Sequence, residues 1–415
     1  MSGAEASQVA RPPAALYIHV PFCLSICPYC DFVVVAGSAA RGPRSRISPF
    51  VDAVEREIEL RGQAAAVSFG QRRAPLGSVY FGGGTPSLLA AADVARLLGA
   101  IERRFGIAAG AEITLEANPG PDERGDLAGF RLAGINRLSI GAQSLQPDEL
   151  RRLGRRHSPA DVADTVRLAR LAGFDSLSLD LLYDVPGQTL DSWRATVGAA
   201  LALEPDHLSA YALTLDDPDG EGLTGATGDH LPLRPGARRW RARAAAEQDD
   251  DRAADMYLLA DKLLGAAGLG WYEISNWARP GCESRHNLGY WLGGAWEAVG
   301  PGAHAFDGAR TRRWNAARLD AYLAAVAKGR LPPGGAETMD AATAVEQGAM
   351  LALRTSRGLG RAALEAPGLG EPLRWAMRNG LAQELDSSVI LNHRGRLLAN
   401  ELFGRLMRGT SGAPN

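Results

Sequence analysis

Residues 17–32 read YIHVPFCLSICPYCDF, and residues 80–89 read YFGGGTPSLL. In the first stretch a short apolar run, typical of a buried strand, leads into Cys23, Cys27 and Cys30, so the cysteine spacing is C-x3-C-x2-C on the loop after the strand. Three thiolates at this spacing can bind three corners of a cubic iron–sulfur cluster and leave the fourth iron without a protein ligand. The stretch therefore predicts a cluster with one open coordination site.

A structural zinc ion is the alternative for these cysteines. Such sites are almost always four-coordinate with every position filled, so His19, Asp31 or the distant Cys282 would have to supply the fourth ligand. The chain has only 4 cysteines, and three of them fall within eight positions. That crowding favours metal binding over a disulfide framework and fits a reducing, cytoplasmic compartment.

Strand-like runs alternate with amphipathic helical patterns in the first half of the chain. The predicted strands are 16–20, 78–81, 113–116, 137–141, 177–182 and 208–213, and the predicted helices between them include 50–60, 94–105, 160–172 and 192–203. This alternation predicts an α/β fold with a parallel sheet and right-handed helical crossovers. Six strands are too few to close an eight-stranded barrel, so we expect a partial (β/α)6 barrel.

Unusual residues occur where the predicted strands end. Glycines 82–84 follow the second strand, Glu116 ends the third, Gln143 follows the fourth, and Asp180 lies in the fifth. Barrel enzymes place their sites at this C-terminal rim. The glycines predict exposed amides that can approach a ligand. A buried carboxylate without a partner is costly, so Glu116 and Asp180 are expected to bind ligand hydroxyls or an arginine.

The rest of the chain divides by composition. Residues 216–255 are rich in Gly, Pro, Asp and Arg, which predicts an exposed insertion. The end of the chain has a helical pattern typical of a small, mainly helical, winged-helix-like domain. The predicted units are a flexible tail at 1–14, the barrel at 15–215, the insertion at 216–255, an aromatic-rich ligand-binding or connecting region at 256–337, the C-terminal domain at 338–410 and a tail at 411–415.

Charge and composition exclude several functions. The chain has 45 Lys plus Arg against 47 Asp plus Glu, a net charge of −2, so it has no general attraction to nucleic acid or to an anionic membrane. Lysine occurs only at Lys262 and Lys328, and no P-loop motif is present. The longest weakly apolar segment, 263–272, is far below the roughly 20 residues that span a bilayer. We expect a cytoplasmic protein without a transmembrane segment and without a nucleic-acid partner.

Together, the cysteine loop and the GGGT segment resemble the radical S-adenosylmethionine superfamily, and specifically its oxygen-independent coproporphyrinogen III oxidase-like branch. The resemblance implies a [4Fe-4S] cluster on Cys23, Cys27 and Cys30, with S-adenosylmethionine bound to the open iron through its amino and carboxylate groups. The residues that it implies for the S-adenosylmethionine site are Tyr17, Tyr29, Gly83, Gly84, Thr85, Glu116, Gln143, Arg155, Asp180 and Ala212.

Two features separate the branches of this family. In coproporphyrinogen oxidases the third cluster cysteine is followed by Gly and Cys, whereas Cys30 is followed by Asp31 and Phe32. Residues 285–291, RHNLGYW, match the H-N-x-x-Y-W pattern of HemW-type haem chaperones. The resemblance therefore implies haem binding at His286, where a neutral imidazole suits haem iron and nearby aromatic rings suit a flat macrocycle.

Two further residues near this motif carry donor atoms. Cys282 precedes His286 by four positions, and it is either a second axial ligand or a free, partly buried thiol. His304 lies in the glycine-rich stretch GPGAHAF at 300–306, and the pattern assigns it no role.

We expect a haem-binding carrier that passes its haem to an acceptor protein, with the cluster and S-adenosylmethionine in a regulatory or structural role. The rival is an oxygen-independent coproporphyrinogen III oxidase, in which a 5′-deoxyadenosyl radical abstracts hydrogen from a porphyrinogen propionate. A third alternative, a zinc-bound RNA-binding protein, lacks a basic composition and an evident fourth ligand. The haem acceptor, such as a respiratory haem protein, and a homodimeric assembly stay open.

Overall fold

The computed structural model describes residues 9–407. The predicted tail at 411–415 lies outside the described residues, as do residues 1–8 of the predicted tail at 1–14. Within the described part, the amides of Arg11 and Ala14 donate to the carbonyls of Asp307 and Ala295, at 2.8 and 2.9 Å. The chain is therefore anchored before its first strand begins, whereas the sequence predicted flexibility through residue 14.

A central sheet of parallel strands forms the larger part of the molecule. Six neighbouring strands follow each other in chain order: Ala15–Val20, Leu76–Gly83, Ile107–Ala117, Arg137–Gln143, Ser176–Tyr183 and His207–Ala212. Every adjacent pair among them is parallel. The predicted α/β partial barrel is confirmed, and each predicted strand overlaps an observed one.

The two faces of this sheet differ in chemistry because successive residues of a strand point to opposite sides. Leu16, Ile18 and Val20 of the first strand are fully buried in the main hydrophobic core. The opposite face carries polar and aromatic side chains that line a cavity, among them Tyr80, Glu116, Arg137, Ser139, Asp180, His207 and Ser209. The outer face therefore drives folding, and the inner face is available for ligands.

Helices connect the strands, and the predicted helices 50–60, 94–105, 160–172 and 192–203 each fall within or overlap an observed one. Ser158 and Thr189 start two of them with capping boxes. The α-helices are Ile47–Phe69, Ala91–Phe105, Leu127–Ala133, Pro147–Arg152, Pro159–Leu171, Leu190–Leu201, Pro235–Ala245, Asp250–Ala266, Arg285–Trp291, Leu319–Ala327, Ala341–Leu353, Gly370–Arg378, His393–Leu397 and Ala399–Leu406. Short 3-10 turns are Gly37–Ala39, Gly70–Arg72, Pro86–Leu88 and Arg361–Glu365.

The sheet is wider than the sequence pattern indicated, with 12 strands within residues 9–407. At one edge, the first strand pairs in parallel with Trp296–Val299, and the antiparallel strands His304–Phe306, Thr311–Asn315 and Gly334–Thr338 follow. At the other edge, the sheet continues through the antiparallel strands Asn276–Ala278 and Gly270–Glu273. Region 256–337, predicted as a connecting unit, thus contributes strands to both edges of the barrel sheet.

A buried carboxylate ties the first of these edges to the helices. Glu57 accepts hydrogen bonds from Arg61 Nε at 2.7 Å, Asn315 Nδ2 at 2.9 Å, the Gly300 amide at 2.9 Å and the Tyr322 hydroxyl at 2.7 Å. A charged group is stable in the interior only when its hydrogen-bonding capacity is satisfied. Arg61 lies on the same helix as Glu57, whereas the other three donors lie more than 240 positions away, so this network fixes the edge strands against the barrel.

Residues 216–255, predicted as an exposed low-complexity insertion, include the helix Pro235–Ala245 and the start of Asp250–Ala266. Arg241 on the first helix is 5% exposed. Its guanidinium donates to the backbone carbonyls of Tyr29 at 2.8 Å, of Pro28 at 3.3 Å and of Asp216. The segment departs from the predicted irregular structure because carbonyls of the cysteine loop bind this arginine.

The C-terminal residues form a second, smaller core. Its helices are Ala341–Leu353, Gly370–Arg378, His393–Leu397 and Ala399–Leu406, and its antiparallel sheet consists of Leu359–Gly360, Ala382–Leu385 and Ser388–Leu391. Leu353, Leu373 and Leu402 are fully buried in this core. Helices packed on a small hairpin sheet agree with the winged-helix-like prediction. Between residues 9 and 407, no helix is long and apolar enough to cross a membrane.

Candidate functional site

A cavity of about 590 Å³, which we call the cluster cavity, opens at the C-terminal ends of the central strands. Eleven of the fourteen site residues predicted from the sequence line it: Cys23, Cys27, Tyr29, Cys30, Gly83, Gly84, Glu116, Gln143, Arg155, Asp180 and Ala212. Tyr17 and His286 instead line a neighbouring cavity. Thr85 contacts the site through the sulfur of Cys23. The structure thus brings most of the predicted residues together.

The three cysteines share one loop. Cys23 ends the short strand Phe22–Cys23, which pairs with Val35–Ala36, and its sulfur accepts a hydrogen bond from Thr85 Oγ1 at 3.4 Å. The Cys30 amide donates to the Cys27 carbonyl at 3.1 Å. Burial raises the pKa of the Cys23 thiol to about 11 and also raises that of Cys30. A metal centre would reverse this preference, because thiols lose their protons when they bind metal.

The donor set fits an iron–sulfur cluster better than a zinc ion. All four cysteines are free thiols. Across residues 9–407, no group of three or more His, Cys, Asp and Glu side chains converges on a point suited to a single metal ion. A structural zinc site needs such convergence. A cubic cluster binds each cysteine through a different iron atom, so its ligands are spread around the cavity wall.

The GGGT segment does not present the free amides that the sequence predicted. The Gly84 amide donates to the Val20 carbonyl at 2.8 Å, and the Thr85 amide donates to the Phe22 carbonyl at 2.7 Å. A Cβ at position 84 would lie 2.7 Å from the Phe22 oxygen and 2.8 Å from the Val20 oxygen. Position 84 therefore requires glycine, because a Cβ there would prevent the end of this strand from hydrogen bonding to the backbone at Val20 and Phe22, just before the cysteine loop.

Glu116 lies on the inner face and is held by two donors. Its carboxylate accepts from the Tyr80 hydroxyl at 2.8 Å and from the Gly83 amide at 3.0 Å. Burial raises the pKa of Glu116 to about 7. Perturbed carboxylates in a cavity are typical of functional sites. Near neutral pH this group can therefore exist in either protonation state.

Asp180 lies two strands away from Glu116, two residues beyond Ser178, which is the residue level with Glu116 in the strand register. Both of its oxygens accept from the Ser139 hydroxyl, at 2.9 and 3.1 Å, and one also accepts from the Ser178 hydroxyl at 3.3 Å. Burial raises the pKa of Asp180 as well. The two carboxylates, each held by hydroxyl or amide donors, provide acceptors on the cavity wall.

Arg155 places a positive charge beside the cysteine loop. It donates to Asn118 Oδ1 at 2.5 Å and to the Gly141 carbonyl at 2.8 Å, and its Nη1 lies 3.6 Å from Cys27 Sγ. Its Nε is buried, with no partner among the residues that the structure describes. Nearby Gln143 has a φ of +63°, at a shift in strand register. Unsatisfied donors and backbone strain of this kind concentrate at ligand sites.

Arg137 is a site residue that the sequence analysis missed. It is 3% exposed and lines the cluster cavity. Within the described part of the chain its Nε is buried without a partner. Its positive charge acts on the carboxylates of Glu116 and Asp180 and opposes the rise in their pKa values that burial causes. The available signal was an arginine at an inward position of a predicted strand. The guanidinium therefore offsets part of the negative charge of the cavity wall and leaves one donor for a ligand.

A second cavity of about 450 Å³, the histidine cavity, adjoins the first. The two share the lining residues Asp31, Phe32, Tyr80, Glu116, Tyr211 and Asn287. The histidine cavity is also lined by the aromatic residues Tyr17, Tyr290 and Trp296 and by the histidines His19, His230, His286 and His304. Among these four, His286 was predicted to bind haem and His19 was considered as a fourth zinc ligand, whereas His230 and His304 were assigned no role.

The RHNLGYW motif forms the helix Arg285–Trp291. It places His286 in the wall of the histidine cavity, with 1% exposure. Ring atom Nδ1 of His286 is hydrogen bonded to Ser78 Oγ at 2.8 Å, and Nε2 is hydrogen bonded to the Tyr290 hydroxyl at 2.7 Å. Burial lowers the pKa of His286 to about 3, so the ring is neutral. Both nitrogens of the predicted haem ligand are engaged within the protein.

The chain is similar to proteins of known family along nearly its whole length. Residues 17–200 match the model of the radical SAM superfamily. The chain is 39% identical to the heme chaperone HemW of Mycobacterium tuberculosis (strain CDC 1551 / Oshkosh) over 398 residues, 95% of each protein. It is 31% identical to the heme chaperone HemW of Bacillus subtilis over 403 residues, 94% of this chain and 98% of the relative.

A solved structure shares the complete fold. The coproporphyrinogen III oxidase HemN of Escherichia coli, described as a radical SAM enzyme, superposes with a TM-score of 0.76 at 22% identity and covers 99% of this chain and 93% of its own. At that identity the likeness concerns the fold. The sequence relatives decide the branch, and the chain belongs to the radical SAM superfamily, in the family of proteins named heme chaperone HemW.

Proposed function

We propose that this chain is a haem carrier, which binds haem in the histidine cavity and passes it to an acceptor protein. The observation that carries the proposal is the cavity itself, where Tyr17, Tyr290 and Trp296 surround a space that several imidazoles reach. Pockets for small ligands commonly have volumes of about 300–1,000 Å³ and a mainly apolar lining with a few polar groups. The names of the sequence relatives support the same function.

We also propose that the cluster cavity holds a [4Fe-4S] cluster on Cys23, Cys27 and Cys30, with S-adenosylmethionine beside it. The guanidinium of Arg155 suits the carboxylate of that ligand, and Glu116 and Asp180 suit its hydroxyl groups. When bound, the cluster supplies one-electron chemistry to the sulfonium cofactor. The two cavities share a wall that contains Glu116, so occupancy of the first is expected to influence haem binding or release in the second.

The rival function is coproporphyrinogen oxidation, which the same cofactors and the shared fold would permit. The cysteine that follows the cluster in oxidases is absent, because Asp31 and Phe32 succeed Cys30. Both replacements line the wall between the two cavities. The exposed aromatic ring of Phe32 therefore occupies the place of the oxidase thiol, and Asp31 occupies the place of the glycine before it, which supports the carrier over the enzyme.

One anaerobic experiment separates the two functions. Protein with a reconstituted cluster is titrated with haemin, and a separate sample is incubated with coproporphyrinogen III, S-adenosylmethionine and a reductant. The carrier function predicts a stoichiometric Soret band and no protoporphyrinogen. Haem should then move to an added haem-free respiratory b-type cytochrome, which is our proposed class of acceptor. We propose that the carrier acts in the cytoplasm. Stoichiometric decarboxylation without haem binding would overturn the proposal.

The cluster assignment has a matched control within the chain. Cys27→Ala should lose iron and the broad brown absorbance, because one iron corner loses its thiolate. Cys282→Ala removes the cysteine outside the loop and should keep both. Equal iron content in the two variants, or stoichiometric zinc in the unmodified protein, would contradict the assignment.

A further inference from the structure

Four histidines reach the histidine cavity, and they differ in whether a ring nitrogen is available. Both nitrogens of His286 are hydrogen bonded, to Ser78 and to Tyr290. His19 is engaged in the same way, with Nδ1 3.2 Å from the Tyr17 hydroxyl and Nε2 2.8 Å from the Val33 carbonyl. A histidine must offer a lone pair to bind iron. Neither ring does so without first breaking a buried hydrogen bond.

His304 has a different environment. Its Nε2 lies 3.0 Å from Asp229 Oδ2, and its side chain is 44% exposed. In the described chain, Nδ1 of His304 has no hydrogen-bonding partner. A carboxylate that accepts the Nε2 proton fixes the tautomer and leaves the Nδ1 lone pair directed outward. This pairing of carboxylate and imidazole is the usual support of metal-binding histidines in proteins.

The backbone holds His304 firmly in place. It begins the strand His304–Phe306, and its carbonyl accepts from Trp296 Nε1 at 2.8 Å. It pairs across the ladder with Trp314, and the two rings are 6.0 Å apart with an interplanar angle of 22°. Phe306 lies on the same face two residues on, because side chains alternate along a strand. The strand pairing and the stacked Trp314 ring therefore fix the orientation of the His304 imidazole.

The same carboxylate also faces a second imidazole. Asp229 Oδ1 lies 3.1 Å from His230 Nδ1. Asp229 is 13% exposed, so its charge is partly shielded from water. His230 lies on a connecting segment outside the main strands, whereas His304 is fixed by the sheet.

From this geometry we propose that His304, oriented by Asp229, is the axial ligand of the haem iron, and that His286 supports the cavity wall. This inference rests on the proposed haem-carrier function and specifies its binding site. The ligating atom is Nδ1 of His304. The role of Asp229 is positioning, since it acts on the iron through the imidazole.

The test compares three histidine variants in the full-length protein with a reconstituted cluster. His304→Gly should lose the ligand-field bands and the electron paramagnetic resonance signature of imidazole-bound ferric haem, and the affinity for haemin should fall at least tenfold. Free imidazole should restore both, because the glycine leaves room for it. Asp229→Asn should retain haem but shift its reduction potential upward, since the imidazole loses its anionic partner.

A matched control is present on the C-terminal domain. His393 is also exposed and also paired with a carboxylate, at 2.7 Å from Asp261 Oδ2. His393→Gly should leave the haem spectrum unchanged. If His286→Ala or His230→Ala abolishes the axial signature while His304→Gly retains it, the assignment to His304 is overturned. Failure of the unmodified protein to bind haemin would instead overturn the haem-carrier function, so the two failures are distinguishable.

Discussion

Acidification should destabilise the fold through His286, by an amount that the structure defines. The ring is 1% exposed and neutral, with a pKa of about 3 against 6.5 for the free side chain. The unfolded chain therefore takes up a proton as the pH falls below 6.5, while the folded chain does not do so until about pH 3. Stability from this group is complete above pH 6.5 and is lost as the pH falls toward 3.

The size of the effect follows from linkage. Between the two pKa values, each unit of acidification lowers the free energy of unfolding by about 1.4 kcal/mol per histidine. At pH 5, protonation of His286 in the unfolded chain lowers the free energy of unfolding by roughly 2 kcal/mol. His19, whose pKa burial lowers to about 4, contributes in the same direction. The barrel should therefore be much less stable at pH 5 than at pH 7.5.

The assay is urea unfolding of cluster-free protein at both pH values, followed by tryptophan fluorescence, for wild type and His286→Gln. Glutamine cannot titrate, so the loss of unfolding free energy on acidification should be smaller by about 2 kcal/mol in the variant. Any lost contact to Ser78 or Tyr290 lowers stability at both pH values and cancels in the difference. His393→Gln is the exposed control. Parallel pH dependences for wild type and His286→Gln would refute the reasoning.

Two further predictions concern the cluster cavity. Arg241→Gln should shorten the lifetime in air of the reconstituted cluster, because the carbonyls of Pro28 and Tyr29 in the cysteine loop lose their hydrogen-bond donor. The decay of the brown absorbance measures this lifetime. The control is Arg243→Gln, at an exposed position of the same helix, which should behave as wild type. Arg137→Met should raise the pKa of Glu116, since the carboxylate loses a nearby positive charge, and should weaken S-adenosylmethionine binding about tenfold by calorimetry. An unchanged affinity would contradict a role for the Arg137 guanidinium in the ligand site.

Local patterns were sufficient to predict the central barrel and most of the cluster cavity. The strands alternate with helices at regular spacing, and the C-terminal ends of parallel strands meet at one rim, so Glu116 and Asp180 had to lie near the cysteine loop. Glycine 84 was also identified from sequence, although for a different reason than the structure shows. Its contacts to Val20 and Phe22 depend on the pairing of two strands that are far apart in the chain.

Tertiary contacts explain what the sequence did not reveal. The helix that carries Arg241 is rich in arginine and reads as a solvated segment, and it is fixed by carbonyls more than 200 positions earlier in the chain. The strand Trp296–Val299 has four residues, too few for a clear periodicity. Its position follows from pairing with the first strand, and such non-local pairing has no local signature.

The position of the proposed haem ligand depends on non-local contacts of the same kind. The RHNLGYW motif pointed to His286, but hydrogen bonds with Ser78, 208 positions away, and with Tyr290 engage both nitrogens of that ring. The histidine with an available nitrogen, His304, is recognisable only when Asp229 is brought beside it by the added edge of the sheet. A motif can therefore lie in the wall of a cavity while the atom that we propose as the ligand belongs to a different element, because ring nitrogens become available or engaged through tertiary hydrogen bonds.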